Sequence, residues 1–255
     1  TPRIGIPLML LRSITQHVKQ QNWFAVWVDF LIVVVGVFVG LQAQEWSNDR
    51  ADRKAERSAI GRLIVEYQQN LEILTADKEK SLAALAATED LLAMIALGNY
   101  PENMDEGTAR TILDCLQNAK FVPALGTTNS LMASGDLSLI GDPDIQKALS
   151  QWPVLAQTLV EWQEIERHHG EELILDETFE YISWPTLLSL IDDGWQASPL
   201  VDDLKGLFSS KRFEGLLTNR RYNTRASVGR IENLESETTL LVNLLKARLS
   251  AISEN

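Results

Sequence analysis

The residues best suited to chemistry lie in one predicted helix. Four of them share one helical face at spacings of three and four: Glu161, Glu164, His168 and Glu172. Glu166 and His169 form one Glu-x-x-His unit, which bundles that bind two iron ions use twice, with two further glutamates. The only other histidine, His17, lies beyond an apolar stretch. A solvated acidic face is therefore favoured over a metal site, for which Glu164, His168 and Glu172 are weak candidates.

No nucleophile or phosphate-binding pattern stands out. The sequence has no G-x-S-x-G turn and no P-loop. The single cysteine, Cys115, falls in an apolar helical pattern with Ile112 and Leu116, which favours burial over reactivity. We therefore predict a protein that is not an enzyme, and no cofactor is predicted.

A second candidate site is a basic cluster within an otherwise acidic region. Its members are Lys211, Arg212, Arg220, Arg221, Arg225 and Arg230, and the only acid among them is Glu214. One interpretation is a docking patch for an acidic partner or an anion. The alternative, which we favour, is that these residues pair with acidic neighbours such as Glu89 and Asp90.

The most informative element is an apolar stretch, WFAVWVDFLIVVVGVFVGLQAQEW at residues 23–46, within a predicted transmembrane helix over residues 22–46. From Phe24 to Ala43 it has about 20 residues, enough to cross a hydrocarbon core of roughly 30 Å. Asp29 is the only charged residue from Phe24 to Ala43. Three aromatic residues mark the predicted interfaces with the headgroups: Trp23, Trp27 and Trp46.

This helix has one narrow side, which we call the narrow face. It consists of Asp29, Val33, Gly36, Gly40 and Ala43. Gly36 and Gly40 form a GxxxG pair, which lets another helix approach closely, although glycine is also common in membrane helices without such a role. Asp29 either reaches the headgroups or, if buried, needs a partner.

A secretory signal peptide is the competing interpretation of the apolar stretch. The run is longer than the apolar region of a signal peptide, and Leu41 stands where a cleavage site needs a small residue. We therefore expect an uncleaved anchor.

Charge is distributed unevenly along the chain. The formal net charge is −12, and residues 1–43 carry +2, which leaves −14 for the remainder. An acidic domain of this kind argues against nucleic acid as a partner. Basic residues follow the span at Arg50, Arg53, Lys54, Arg57 and Arg62, interleaved with acids. We predict a cytoplasmic N-terminus and a periplasmic domain, although a strict count of lysine and arginine favours the reverse.

The remaining chain reads as helices. Residues 1–21 are predicted to form a basic amphipathic segment in the cytoplasm or at the membrane interface. Residues 47–255 are predicted to form a periplasmic helical domain. Four signals mark the starts of helices: Thr128 or Asn129, Asp142-Pro143, Trp184-Pro185, and Ser198-Pro199. A first long helix, ending near Leu97, carries the predicted core stripe Ile60, Ile64, Tyr67, Leu71, Leu74, Leu82, Leu85, Leu92 and Ile95. A last long helix, over residues 213–252, carries Val228, Ile231, Leu234, Leu241, Leu245, Leu249 and Ile252.

The segments HVKQQNWFAV and DFLIVVVGVFVGLQAQEWSNDR resemble the N-terminal signature of an uncharacterised family of bacterial inner-membrane proteins, a domain of unknown function. The resemblance is specific over about residues 9–60. It implies one anchor, a helical soluble domain and a Gram-negative envelope, and it implies no activity.

The expected fold is all-α, a single transmembrane helix continuing into an elongated antiparallel helical bundle. The expected function is that of a non-catalytic interaction or accessory subunit of an inner-membrane assembly, with membrane lipid and a partner membrane subunit or a second copy as partners. The alternative is a periplasmic ligand-binding sensor that signals through a partner.

Overall fold

The computed structural model describes residues 23–254, with side chains described for residues 27–253. The predicted amphipathic segment, residues 1–21, lies outside the described residues. Helices account for the regular structure, and residues 23–254 contain no β-strand, so the predicted all-α class is confirmed. The chain divides into two units, Thr1–Lys54 and Ala55–Asn255, which are described separately.

Eight α-helices form the described part of the chain. They are α1 (Trp23–Leu97), α2 (Glu106–Leu116), α3 (Gly126–Ser134), α4 (Pro143–Arg167), α5 (Leu175–Phe179), α6 (Trp184–Ser189), α7 (Leu204–Ser209) and α8 (Lys211–Glu254). A 3-10 turn (Asp136–Leu139) precedes α4, and a π-helical segment (His168–Ile174) joins α4 to α5. In the first unit, α1 is the one described helix that is long and apolar enough to cross a membrane, and its apolar part is exposed.

Side-chain caps explain several helix starts in the second unit. The Asp142 carboxylate accepts hydrogen bonds from the backbone N–H groups of Asp144 and Ile145, with Pro143 as the first helical residue, as predicted. Helix α7 does not begin at the predicted Ser198-Pro199 position. It begins at Leu204 because the Asp203 carboxylate accepts from the Gly206 N–H.

The start of α3 is capped by a distant residue, and the predicted caps Thr128 and Asn129 were wrong. The helix begins at Gly126, and the buried Glu66 carboxylate of α1 accepts from the backbone N–H groups of Thr127 and Thr128. The Thr128 hydroxyl also donates to Glu66, at 2.7 Å. A carboxylate satisfies donors that the first turn leaves unpaired and interacts favourably with the helix dipole.

Three long helices bury stripes at alternating spacings of four and three. On α1 the stripe is Glu56, Ile60, Leu63, Tyr67, Asn70, Leu74, Asp77, Ser81, Ala84, Thr88 and Leu91. On α4 it is Ile145, Leu149, Trp152, Ala156, Leu159, Gln163 and Glu166; on α8 it is Phe213, Leu217, Arg220, Thr224, Ser227, Ile231, Leu234, Thr238, Leu241 and Leu245. This period of 3.5 is that of knobs-into-holes packing. The predicted core position Leu82 was wrong, because it is 45% exposed.

The buried apolar residues form two separate cores. The first core surrounds Trp152, whose ring lies edge-on to Tyr67 with the centroids 5.0 Å apart. The second core surrounds Phe208 and Phe213, whose ring centroids are 6.1 Å apart. On α1 and α8, polar residues of the stripe lie between the segments that contribute to the two cores, and on α4 they follow the segment that contributes to the first core.

Ion pairs connect α1 with α8 in a regular order. Glu56 pairs with Arg248 at 2.8 Å, Lys78 pairs with Glu235, and Glu89 pairs with Arg225 at 2.7 Å. The later a residue lies along α1, the earlier its ion-pair partner lies along α8.

Candidate interaction surfaces

The narrow face is open along the apolar part of α1. All five members, Asp29, Val33, Gly36, Gly40 and Ala43, are exposed. At about 100° per residue they fall within about 80° of the helix circumference. A Cβ added at Gly36 or Gly40 would meet no atom within 4 Å. The face can therefore accept a second helix at short distance, and its role in packing stays a prediction.

Two of the three predicted interface aromatics have described side chains. Trp27 and Trp46 are 66% and 64% exposed. The Arg50 guanidinium lies 5.9 Å from the centroid of the Trp46 ring. Trp23 belongs to α1, and its side chain lies outside the described residues. The pairing of an aromatic ring with a cation suits the level of lipid headgroups.

The predicted docking patch was wrong in one respect, because Arg220 is buried rather than on a surface. It is 1% exposed. One terminal nitrogen donates to Asn118 Oδ1 at 2.8 Å and to the Glu166 carbonyl at 2.9 Å, and the other donates to the Gln117 carbonyl at 2.5 Å. Arg220 thus ties α8 to α4 and to the segment after α2.

Other members of the predicted patch have local partners. Arg225 pairs with Glu89, as the alternative interpretation expected. Arg212 lies 3.2 Å from the buried Glu177 carboxylate. Arg230 stacks on the ring of Trp162, 3.8 Å from its centroid, and Lys211 and Arg221 are exposed. The six residues therefore do not form a single basic surface.

The weak metal candidates are engaged in pairs on an exposed helix face. His168 Nδ1 lies 2.7 Å from a Glu172 oxygen, and Arg167 donates to both Glu164 oxygens. Hydrogen bonding to Arg167 holds the pKa of Glu164 below its usual range. Within residues 23–254, no group of three or more His, Cys, Asp or Glu side chains is arranged to hold a metal ion.

The most distinctive internal feature is a set of polar side chains between the two cores, which we call the polar layer. It consists of Asp77, Ser81, Gln163, Glu166, Arg220, Thr224 and Ser227, all buried. Within the described chain, Arg220 Nε, Thr224 Oγ1 and Ser227 Oγ lack hydrogen-bond partners. A buried polar layer favours one alignment of helices over shifted ones, because a shift would bury its groups against apolar side chains.

The polar layer was not predicted from the sequence. Its members occupy the same 3.5-residue stripe as the apolar core, so the spacing of the stripe was the available signal. The predicted burial of Cys115 is confirmed, since it is 0% exposed and its sulfur lies 3.3 Å from the Thr88 hydroxyl. Burial raises the pKa of the Cys115 thiol, which favours its protonated form.

The pH dependence of stability at Asp77 provides a test of the polar layer. Burial raises the pKa of Asp77 above its ordinary value of 3.8, opposed by the Gln163 amide, which donates to its carboxylate at 3.4 Å. A raised folded-state pKa means that stability falls as pH rises through it. We expect Asp77→Asn to raise the melting temperature more at about pH 7 than at about pH 4.

The control for this prediction is Asp90→Asn, which changes an exposed carboxylate on the same helix. Its melting temperature should follow that of the unmodified protein at both pH values. An equal gain for Asp77→Asn at both pH values, or a loss at neutral pH, would show that ionisation of Asp77 does not oppose folding.

Comparisons of the chain with protein-family models, curated proteins and solved structures found no match. The resemblance to an uncharacterised inner-membrane family stays a prediction.

Proposed function

We propose that the protein is a single-span inner-membrane protein that acts as a non-catalytic interaction or accessory subunit of a membrane assembly. The observation that carries this proposal is the apolar part of α1, which is exposed throughout and has the narrow face on one side. Small residues on one stripe are the typical means of helix association in lipid. The resemblance of residues 9–60 to an inner-membrane family supports the same location.

We propose further that residues 55–254 form an antiparallel helical bundle on the periplasmic side. Two observations support this arrangement: the 3.5-residue stripes on α1, α4 and α8, and the opposite order of ion-pair partners along α1 and α8.

The proposed orientation has the N-terminus in the cytoplasm. It predicts that alkaline phosphatase fused after Asn255 is active and that a green fluorescent protein fused there is dark, since the first folds only in the periplasm and the second only in the cytoplasm. The matched fusions at the N-terminus should show the reverse. A fluorescent C-terminal fusion without phosphatase activity would contradict the orientation.

The proposed packing face predicts that Gly36→Leu with Gly40→Leu abolishes association. Two leucines on the narrow face would keep a neighbouring backbone at a distance, so the complex on a native gel of a mild detergent extract should shift to the mass of the free subunit. Tagged protein should lose the membrane partners that the unmodified protein retains.

The control is Val34→Leu with Phe38→Leu, which changes two exposed residues on the opposite side of the same helix. This variant should keep the complex. If both double variants ran like the unmodified protein, the narrow face would not be the packing face.

A further inference from the structure

A segment of the second unit combines exposed apolar side chains with uniform negative charge. Residues 171–204 contain nine acidic residues and no lysine or arginine. Within this segment Phe179, Leu200 and Val201 are 45%, 73% and 96% exposed. Single exposed apolar residues are ordinary, whereas several around one groove are a feature of binding surfaces.

These three residues line one groove, which we call the acidic groove. Its volume is about 380 Å³, and the aromatic rings of Tyr181 and Trp184 also line it. The Phe179 and Trp184 rings meet edge to face, with the centroids 5.6 Å apart. The groove is large enough for one or two apolar side chains.

Hydrogen bonds within the chain hold the walls of the acidic groove in place. The Ser183 N–H donates to the Asp202 carboxylate at 2.7 Å, and the Asp203 N–H donates to the Tyr181 carbonyl at 2.8 Å. These bonds fix the loop that carries Leu200 and Val201 against the turn after α5. A preformed surface loses little conformational freedom on binding.

The charge around the groove is unbalanced. Glu180 and Asp202 line it, and within residues 23–254 neither carboxylate forms an ion pair. Carboxylates of this kind repel an anionic lipid surface and repel the same face of a second copy. They attract a cationic partner.

We propose that the acidic groove docks a segment of a partner protein that places an apolar side chain in the groove and lysine or arginine side chains beside Glu180 and Asp202. The inference rests on the proposed role as an interaction subunit and names the chemistry of one partner. The acidic groove is a different surface from the narrow face. Docking in the groove can therefore be disproved while packing through the narrow face is retained, and the reverse.

The test uses the full chain in nanodiscs of zwitterionic lipid and three labelled peptides of equal length. One is amphipathic with leucine and lysine, one has leucine and glutamate, and one has serine and lysine. Fluorescence polarisation, corrected for empty nanodiscs, should show binding of the leucine–lysine peptide alone. Leu200→Ser with Val201→Ser should weaken its binding by about tenfold or more, because the apolar contact is lost. Glu180→Lys should weaken it as strongly.

Two matched variants serve as controls. Val122→Ser and Val154→Ser together replace apolar residues that are exposed elsewhere, and Glu161→Lys reverses an exposed charge on α4. Both should bind as the unmodified protein does. Equal binding of the leucine–glutamate peptide, no binding of any peptide, or binding unchanged by the groove variants would overturn the proposal. Retained association through Gly36 and Gly40 would then leave the proposed function standing.

Discussion

Replacing Arg220 by alanine is expected to lower the free energy of unfolding by about 3 kcal/mol. The guanidinium donates to Asn118 Oδ1 and to the carbonyls of Gln117 and Glu166. The hydrogen bond to the Glu166 carbonyl is buried, and the other two are part-buried. An acceptor left unpaired in the interior costs about 1–3 kcal/mol, and relief from burying a cation offsets part of the loss. Urea unfolding of the full chain in mild detergent, followed by circular dichroism, measures the difference.

Arg221→Ala is the matched control, because it removes the neighbouring, exposed arginine. It should change the free energy of unfolding by less than about 0.5 kcal/mol. Arg220→Met keeps most of the side-chain volume and should still be less stable than the unmodified protein, since the three acceptors remain unpaired. A methionine variant of equal or greater stability would contradict the account of Arg220.

Trp152→Ala is expected to cost about 3–5 kcal/mol of unfolding free energy, the range for removing a large buried ring. Trp152 is 2% exposed and contacts Tyr67 and Phe121 in the first core. Its indole N–H donates to the Thr238 hydroxyl at 2.8 Å, so the ring also joins α4 to α8. The same urea titration measures the loss.

Trp195→Ala provides the comparison, because Trp195 is 51% exposed. Its effect should stay within about 0.5 kcal/mol. Trp152→Phe should fall between the two alanine variants, because it keeps an aromatic ring and removes the hydrogen bond to Thr238. Equal stabilities for the Trp152 and Trp195 alanine variants would contradict the placement of Trp152 in the core.

Local signals in the sequence were enough to predict the helical class and the positions of several helix ends. Asp142-Pro143 starts α4 because the cap depends only on residues next to it. The apolar stripe over residues 213–252 predicted α8 because large apolar residues recur on one face of the helix from Val228 to Ile252. These features need no information about distant parts of the chain.

The second half of the α1 stripe shows where sequence reasoning failed. Large apolar residues were taken as the core, which selected Leu82, whereas the buried stripe continues through Asp77, Ser81 and Thr88. Small and polar residues are usually read as surface. Gln163 of α4 donates to the Asp77 carboxylate, and the Thr88 hydroxyl lies beside Cys115 of α2. A single helix does not reveal such partners.

Distant contacts account for the other errors. Glu66 caps α3 from about 60 residues away along the chain, so nothing next to Gly126 predicts that helix start. Arg220 was grouped with Arg221 because they are adjacent in sequence, yet neighbours on a helix point in directions about 100° apart. One is buried in the polar layer and the other is exposed.

The central claim is that the narrow face of α1 contacts another protein within the membrane. The most direct measurement is photo-crosslinking in living cells, with benzoylphenylalanine placed at Val33 or Ala43 on the narrow face and at Phe38 on the opposite side. We predict protein adducts from Val33 and Ala43 and none from Phe38. Adducts of equal yield from all three positions, or from Phe38 alone, would contradict it.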